Sequence, residues 1–231
     1  MTHGLRALAA ACLVVASSAH ANVEITEWAY SGAEGEFIEF TNLGAAPVDF
    51  ANWVYDDESR LSTAAAGGFD LSGFGLVQAG ESVVLTEGDA SAFRAAWGLG
   101  AGVKVVGGFT NNLGRNDEIN LFDASGTLVD RLRYGDSSYA PGTIRTQNVS
   151  GNPGTLADLL PSTVSPGWVL SAVGDSFGSV MSAGGDIGNP GVFALSPVPE
   201  NGTLALWLAG LAAVAGVARR RAAASGAWSA A

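Results

Sequence analysis

The chain has 231 residues, 48% of them hydrophobic, with 32 glycines and 14% charged side chains, a balance that suits one domain of many short strands and turns and disfavours long solvent-facing helices. Its formal net charge is −11, and all 22 acidic residues lie between Glu24 and Glu200, a span that holds only seven of the 11 bases, one of them the chain's single lysine, Lys104. Such a field repels phosphate backbones and argues against a nucleic-acid partner.

Residues 1–21 read as a cleavable signal peptide. Arg6 precedes the apolar run Ala7 to Ala16, and Ser-Ser-Ala-His-Ala then offers Ala19 and Ala21 as the small residues that signal peptidase needs, with cleavage after Ala21. Cleavage removes His3, Cys12 and His20, the chain's two histidines and its one cysteine. The exported product is therefore expected to lack imidazole and thiol, which excludes Ser-His-Asp and Cys-His catalysis, His/Cys metal sets and disulfides.

In residues 22–195, short alternating runs are separated by Gly, Asn, Asp and Pro clusters. Val23 and Ile25 share one face of a first strand. The run Glu36 to Thr41 places Ile38 and Phe40 on one face and Glu39 and Thr41 on the other. Pro47 to Tyr55 follows as a further strand carrying Val48, Phe50 and Trp53, after a turn at Gly44 and Pro47. Glu81 to Glu87 reads as a strand after the Ala79-Gly80 turn. Asp89 is placed to cap a short helix through Trp97, with Phe93 and Trp97 one turn apart. Residues 117–123 and Thr127 to Tyr134 form a hairpin joined through Ala124-Ser125-Gly126. These elements predict an all-β fold, a two-sheet antiparallel sandwich.

In their order, Glu27, Glu36-Phe37-Ile38-Glu39-Phe40-Thr41-Asn42, Pro47-Val48-Asp49-Phe50-Ala51-Asn52-Trp53, Gly80-Glu81-Ser82-Val83-Val84-Leu85, Asn120-Leu121-Phe122-Asp123, Gly126-Thr127-Leu128-Val129-Asp130 and Tyr134-Gly135 resemble a lamin tail domain. The resemblance implies an immunoglobulin-like sandwich over about Val23 to Tyr139, with a closing echo at Gly188-Asn189-Pro190-Gly191. The stretch Ala140 to Asp186, richer in Ser, Gly and Pro, departs from the compact pattern.

Three groups of residues invite a chemical reading. Asp56-Asp57-Glu58 is the densest acidic run and a candidate Ca²⁺ loop, although it lacks the alternating Asp/Asn spacing of a dedicated calcium loop; a solvated acidic loop is the plainer expectation. Glu27 and Asp130 share strand parity with Ile25 and with Leu128 and Leu132, so regular strands aim both carboxylates inward. They would form a buried hydrogen-bonded lock, lie at bulges, or serve as a glycosidase pair. Trp28, Trp53, Trp97 and Trp168 read as core, with a carbohydrate-stacking face as the alternative. No resident cofactor is expected.

The C-terminus carries three consecutive features: the Pro-containing linker 196–202, the uncharged segment Thr203 to Ala218 followed by Arg219, Arg220 and Arg221, and the tail 222–231. As a helix the apolar segment reaches roughly 24 Å, short of the about 30 Å hydrocarbon thickness but able to span with local thinning and snorkelling arginines. Residues 203–221 are thus expected to form a transmembrane helix with the arginines and the 222–231 tail cytoplasmic. A Pro-Glu motif (Val198, Pro199, Glu200), an apolar helix and an arginine cluster in that order resemble the PEP-CTERM sorting signal of Gram-negative bacteria. That resemblance implies recognition by an exosortase-type membrane enzyme and cleavage near Pro199 and Glu200. Asn201 stands where the motif usually has a second proline.

Together these features lead to the expectation of an exported, non-catalytic protein, anchored in the inner membrane before processing and then surface-bound or extracellular. Its expected partners are signal peptidase, an exosortase-type enzyme, and exopolysaccharide or another surface protein. The alternative is an exported hydrolase that uses carboxylates or a divalent metal.

Overall fold

A computed structural model describes residues 23–135, 138–140, 144–160, 162–164 and 167–194. Strands β1 (Val23–Ala29) and β2 (Phe37–Asn42) pair antiparallel, with Ile38 and Phe40 facing one way and Glu39 and Thr41 the other, as alternation requires. Every β2 side chain is buried, however, so the face carrying Glu39 and Thr41 does not meet water.

The stretch expected as one strand from Pro47 to Tyr55 is two, β3 (Val48–Asp49) and β4 (Val54–Asp56). Between them Asn52 adopts a left-handed conformation (φ 61°), which asparagine tolerates and a continuing strand does not. After this turn β4 joins β5 (Phe69–Asp70) in one sheet, whereas β3 pairs with β6 (Leu76–Val77).

Strand β7 (Ser82–Thr86) leads to helix α1 (Ala90–Ala96), whose N-terminus is capped by Asp89, its carboxylate accepting the Ser91 and Ala92 amides at 2.9 Å. The helix carries the chain over the sheet to β8 (Lys104–Gly107), which pairs with β7 in parallel. This corrects the expectation of a wholly antiparallel sandwich: a helical crossover returns the chain to the end where it started, which a tight hairpin cannot do.

Strands β9 (Asp117–Phe122) and β10 (Leu128–Tyr134) form the expected hairpin. Gly126 takes φ 79°, and the Asp123 carboxylate accepts the Ser125 and Thr127 amides across the loop. The chain beyond the hairpin then builds on the sandwich. Strands β11 (Gly151–Pro153) and β12 (Trp168–Leu170) add to the free edge of β1, and β13 (Val180–Met181) with β14 (Ile187–Gly188) makes a separate hairpin.

Beside the small β3–β6 and β13–β14 pairs, the described residues form two large sheets, one in the order β12-β11-β1-β2-β7-β8 and one in the order β10-β9-β4-β5. Between them lies the main core, where Ile25, Trp28, Ile38, Phe40 and Leu85 meet Tyr55, Ile119, Leu121, Leu132 and Tyr134. The Trp28 ring packs against Tyr134 and Trp168, each with centroids 5.2 Å away. A Cβ at Gly151 would sit 2.6 Å from that ring, so β11 can lie against β1 there only as glycine. On its opposite face the six-stranded sheet carries a second core of Ala29, Phe37, Val84, Phe93 and Trp97, under α1. The six-stranded sheet is therefore covered on both sides.

Candidate functional site

A single extra residue in β1 creates the most unusual feature of the molecule. The register pairs Ile25 with Phe40 and Glu27 with Glu39, leaving Thr26 as a β-bulge. The bulge lets Ile25 and Trp28 both face the main core and sends Glu27 to the opposite face, beside Glu39. Directly opposed residues on one face have Cβ atoms about 4.5–5.5 Å apart, and both glutamates are fully buried (0% exposed).

Each carboxylate is bonded to the chain itself. Glu27 Oε1 accepts the Asn189 amide at 2.8 Å and the Ser150 hydroxyl. Glu39 Oε1 accepts the Thr26 hydroxyl at 2.6 Å, and its Oε2 accepts the Gly191 amide at 2.8 Å. Hydroxyls extend the network from Thr26 to Thr41 and from Thr41 to Ser82, each at 2.7 Å, and from Ser150 to Ser171 at 2.7 Å. Glu27 Oε2 is buried and has no hydrogen-bond partner among the described residues. Burial raises the pKa of both groups, that of Glu39 to about 7 and that of Glu27 well above the usual carboxylate range. The Glu39 charge adds to the effect on Glu27.

Asp130 has a different task. A second bulge, at Val129, precedes it in β10, and its Oδ2 accepts the Ile25 amide of β1 at 2.8 Å while Oδ1 accepts the Arg131 amide at 2.7 Å. Strand β1 pairs with β11 at Trp28 and Gly151, so the amide of Ile25 is met instead by a side chain from the opposite sheet. Glu27 and Asp130 are thus bonded to separate partners and do not converge as an acid–base pair. Both act as locks, one for the C-terminal segment and one between the sheets.

Of the acidic run, Asp56 ends β4 buried, accepting the Ser59 hydroxyl at 2.8 Å together with the Leu61 amide and the Asn111 side chain. Asp57 accepts the Ser59 amide at 2.8 Å, and the Glu58 amide bonds to Asp117 at 3.3 Å. Among the described residues no group of three or more His, Cys, Asp or Glu is arranged to hold a metal ion. Trp28, Trp53, Trp97 and Trp168 are all buried and pack as core.

One cluster escaped the sequence reading. Glu118 on β9 accepts two hydrogen bonds from Arg60, from Nη2 at 2.7 Å and from Nε at 2.8 Å, with Arg131 at 3.6 Å and Arg133 at 3.8 Å. Arg60 hydrogen bonding is the main cause of a lowered Glu118 pKa. The alternation that turns Ile119, Leu121, Leu132 and Tyr134 inward turns Glu118, Arg131 and Arg133 outward on neighbouring strands, so the pairing was readable once the hairpin register was assumed.

Ala19, Ala21, Val198, Pro199, Glu200, Arg219, Arg220 and Arg221 lie outside the described residues, as does the segment 203–221 expected to span a membrane. Among the described residues no helix is long and apolar enough to cross one.

This geometry defines a class: an immunoglobulin-like β-sandwich module whose central acids secure the fold. The family model of the Lamin Tail Domain matches residues 16–136, just over half of the sequence, and the chain belongs to that family. No curated protein matches the chain.

Proposed function

We propose that this protein is an exported, non-catalytic lamin-tail module, sorted through its PEP-CTERM-like tail by an exosortase-type enzyme and working by binding or adhesion at the cell surface or in the surrounding polysaccharide. The observation that carries the non-catalytic reading is the state of Glu27 and Glu39. Burial raises the pKa of both carboxyls, yet they are fully buried and bonded to backbone amides and hydroxyls of the chain itself. A hydrolase needs its acid and base within hydrogen-bond reach of a substrate. The export reading is supported by the sequence: an apolar segment with small residues at Ala19 and Ala21 precedes the domain, and Val198-Pro199-Glu200 follows shortly after Phe193, which packs on the core.

Intact-mass analysis of the protein from membranes and culture medium, in strains with and without the sorting enzyme, tests the reading. Trimming near Glu200 that depends on the enzyme supports it, and identical C-termini in both strains overturn the sorting. Incubating the purified protein with the cells' own polysaccharide tests the rest. Retention on the polymer without change in its chain length is expected, whereas shortened chains would favour a hydrolase.

A further inference from the structure

Residues 187–193 lie as a strap across the second face of the six-stranded sheet, and two carboxylates hold it there. The Asn189 amide bonds to Glu27 and the Gly191 amide to Glu39, each at 2.8 Å, and the Phe193 amide bonds to Ser82 Oγ at 3.2 Å. At its near end the strap is tied to the preceding chain by Ile187 N–H to Asn148 O (3.0 Å) and Ser150 N–H to Ile187 O (2.8 Å).

The surroundings of the pair are known from every side. Thr26 comes from β1, Thr41 from β2, Ser82 from β7 and Ser150 from the segment before β11. The Trp97 ring behind α1 lies 3.2 Å from where a Cβ on Gly188 would sit. The charged neighbour is Asp175, whose negative charge further disfavours ionisation of Glu27. Among the described residues neither glutamate ion-pairs with a lysine or arginine. Two opposed carboxyls, both fully buried and with no lysine or arginine paired to them among the described residues, resist holding two negative charges at once.

We propose that the Glu27–Glu39 pair is a proton-operated latch: the strap stays on the sheet while at least one of the two carboxyls is protonated, and it lifts when both ionise, with the sandwich beneath left intact. The sandwich persists because its main core is built between the two sheets, and of the strap only Phe193, at its far end, packs against that core. The sign follows from burial. Both pKa values are raised in the closed state, so closure is favoured at acid and neutral pH and is lost as pH rises through the folded-state values. Opening dismantles a groove of about 200 Å³ that the strap forms with Trp97 and Phe177. The latch stands on the geometry of residues 23–194 and does not depend on the sorting reading.

Amide hydrogen exchange on the full chain in a non-ionic detergent, converted to protection factors to remove the intrinsic pH dependence, tests it. Between roughly pH 6 and pH 9 the protection of Asn189 and Gly191 falls at least about ten-fold, while that of Ile119 and Leu121 in β9 holds. Glu27→Gln keeps an acceptor oxygen but removes one ionisation, and it holds the strap closed at both pH values. Glu39→Gln does the same and serves if the first variant does not fold. Unchanged strap protection in the parent chain, a loss shared equally by β9, or the same fall in a glutamine variant overturns the latch.

Discussion

Replacing Asp130 with alanine is the sharpest test of how the two sheets are joined. The carboxylate accepts the Ile25 amide at 2.8 Å and the Arg131 amide at 2.7 Å, and Ile25 is 1% exposed, so water does not readily take the vacated place. A buried amide left without an acceptor costs about 1–3 kcal/mol, and the second bond, at the half-buried edge of β10, adds up to about 1 kcal/mol. Part of this is offset, because burial raises the Asp130 pKa and the variant no longer desolvates a carboxylate. The net loss is about 2 kcal/mol, or roughly 4–8 °C in Tm for a domain of this size. Thermal and urea unfolding followed by tryptophan fluorescence reads it directly, since Trp28 lies in the same strand as Ile25. Asp130→Asn keeps one acceptor oxygen and should lose less than half as much. A loss below about 0.5 kcal/mol in the alanine variant would be that of an ordinary surface change and would refute the tie between the sheets.

Glu118→Gln leaves Arg60, Arg131 and Arg133 without their shared counter-charge. Because two of the three arginines are substantially exposed, a loss of about 1–2 kcal/mol is expected in urea unfolding, and no loss would mean that solvent screens the cluster. Gly188→Ala would bring a Cβ to 2.8 Å from Glu27 Oε1 and 2.9 Å from Ser150 Oγ, so about 1–3 kcal/mol of overpacking should appear in chemical denaturation; a neutral result would show that the strap shifts freely. Burial raises Glu36 and Glu39 to about 7 from an ordinary value of 4.5, and it raises Glu27 well above that ordinary value. The folded chain therefore keeps protons that the unfolded chain has released, and stability declines as pH rises from about 4.5 through about 7. Urea midpoints at about pH 5 and pH 8 check this, and a midpoint that increases over that range contradicts it. Glu118, lowered by Arg60, works in the opposite sense and loses its contribution as the solution is acidified.

Much of the fold was legible because its signals are local. Asp89 capping the helix, Phe93 and Trp97 one turn apart, and Gly126 in the β9–β10 loop each depend on residues a few positions apart, and each stands as expected. The break at Asn52 was missed because Val48, Phe50 and Trp53 are apolar enough for one strand, and the left-handed turn between them is set by separate pairings with β6 and β9. Parity from Ile25 to Glu27 predicted an inward carboxylate; the Thr26 bulge reversed its direction, yet Glu27 is buried all the same because the C-terminal chain covers the other face. Gly188-Asn189-Pro190-Gly191 stood out as a family echo, but its work as the backbone partner of two glutamates separated from it by more than 150 positions had no local signature.

Composition and alternation alone thus determined an acidic β-sandwich, since hydrophobic period, turn residues and charge balance are written along the chain, and the ordered motifs from Glu27 to Gly135 added the resemblance to a lamin tail domain. The uses of its buried acids were decided by the tertiary structure. Whether a carboxylate catalyses, binds or locks depends on which distant amides and hydroxyls reach it, and a bulge of one residue is enough to exchange one set of partners for another.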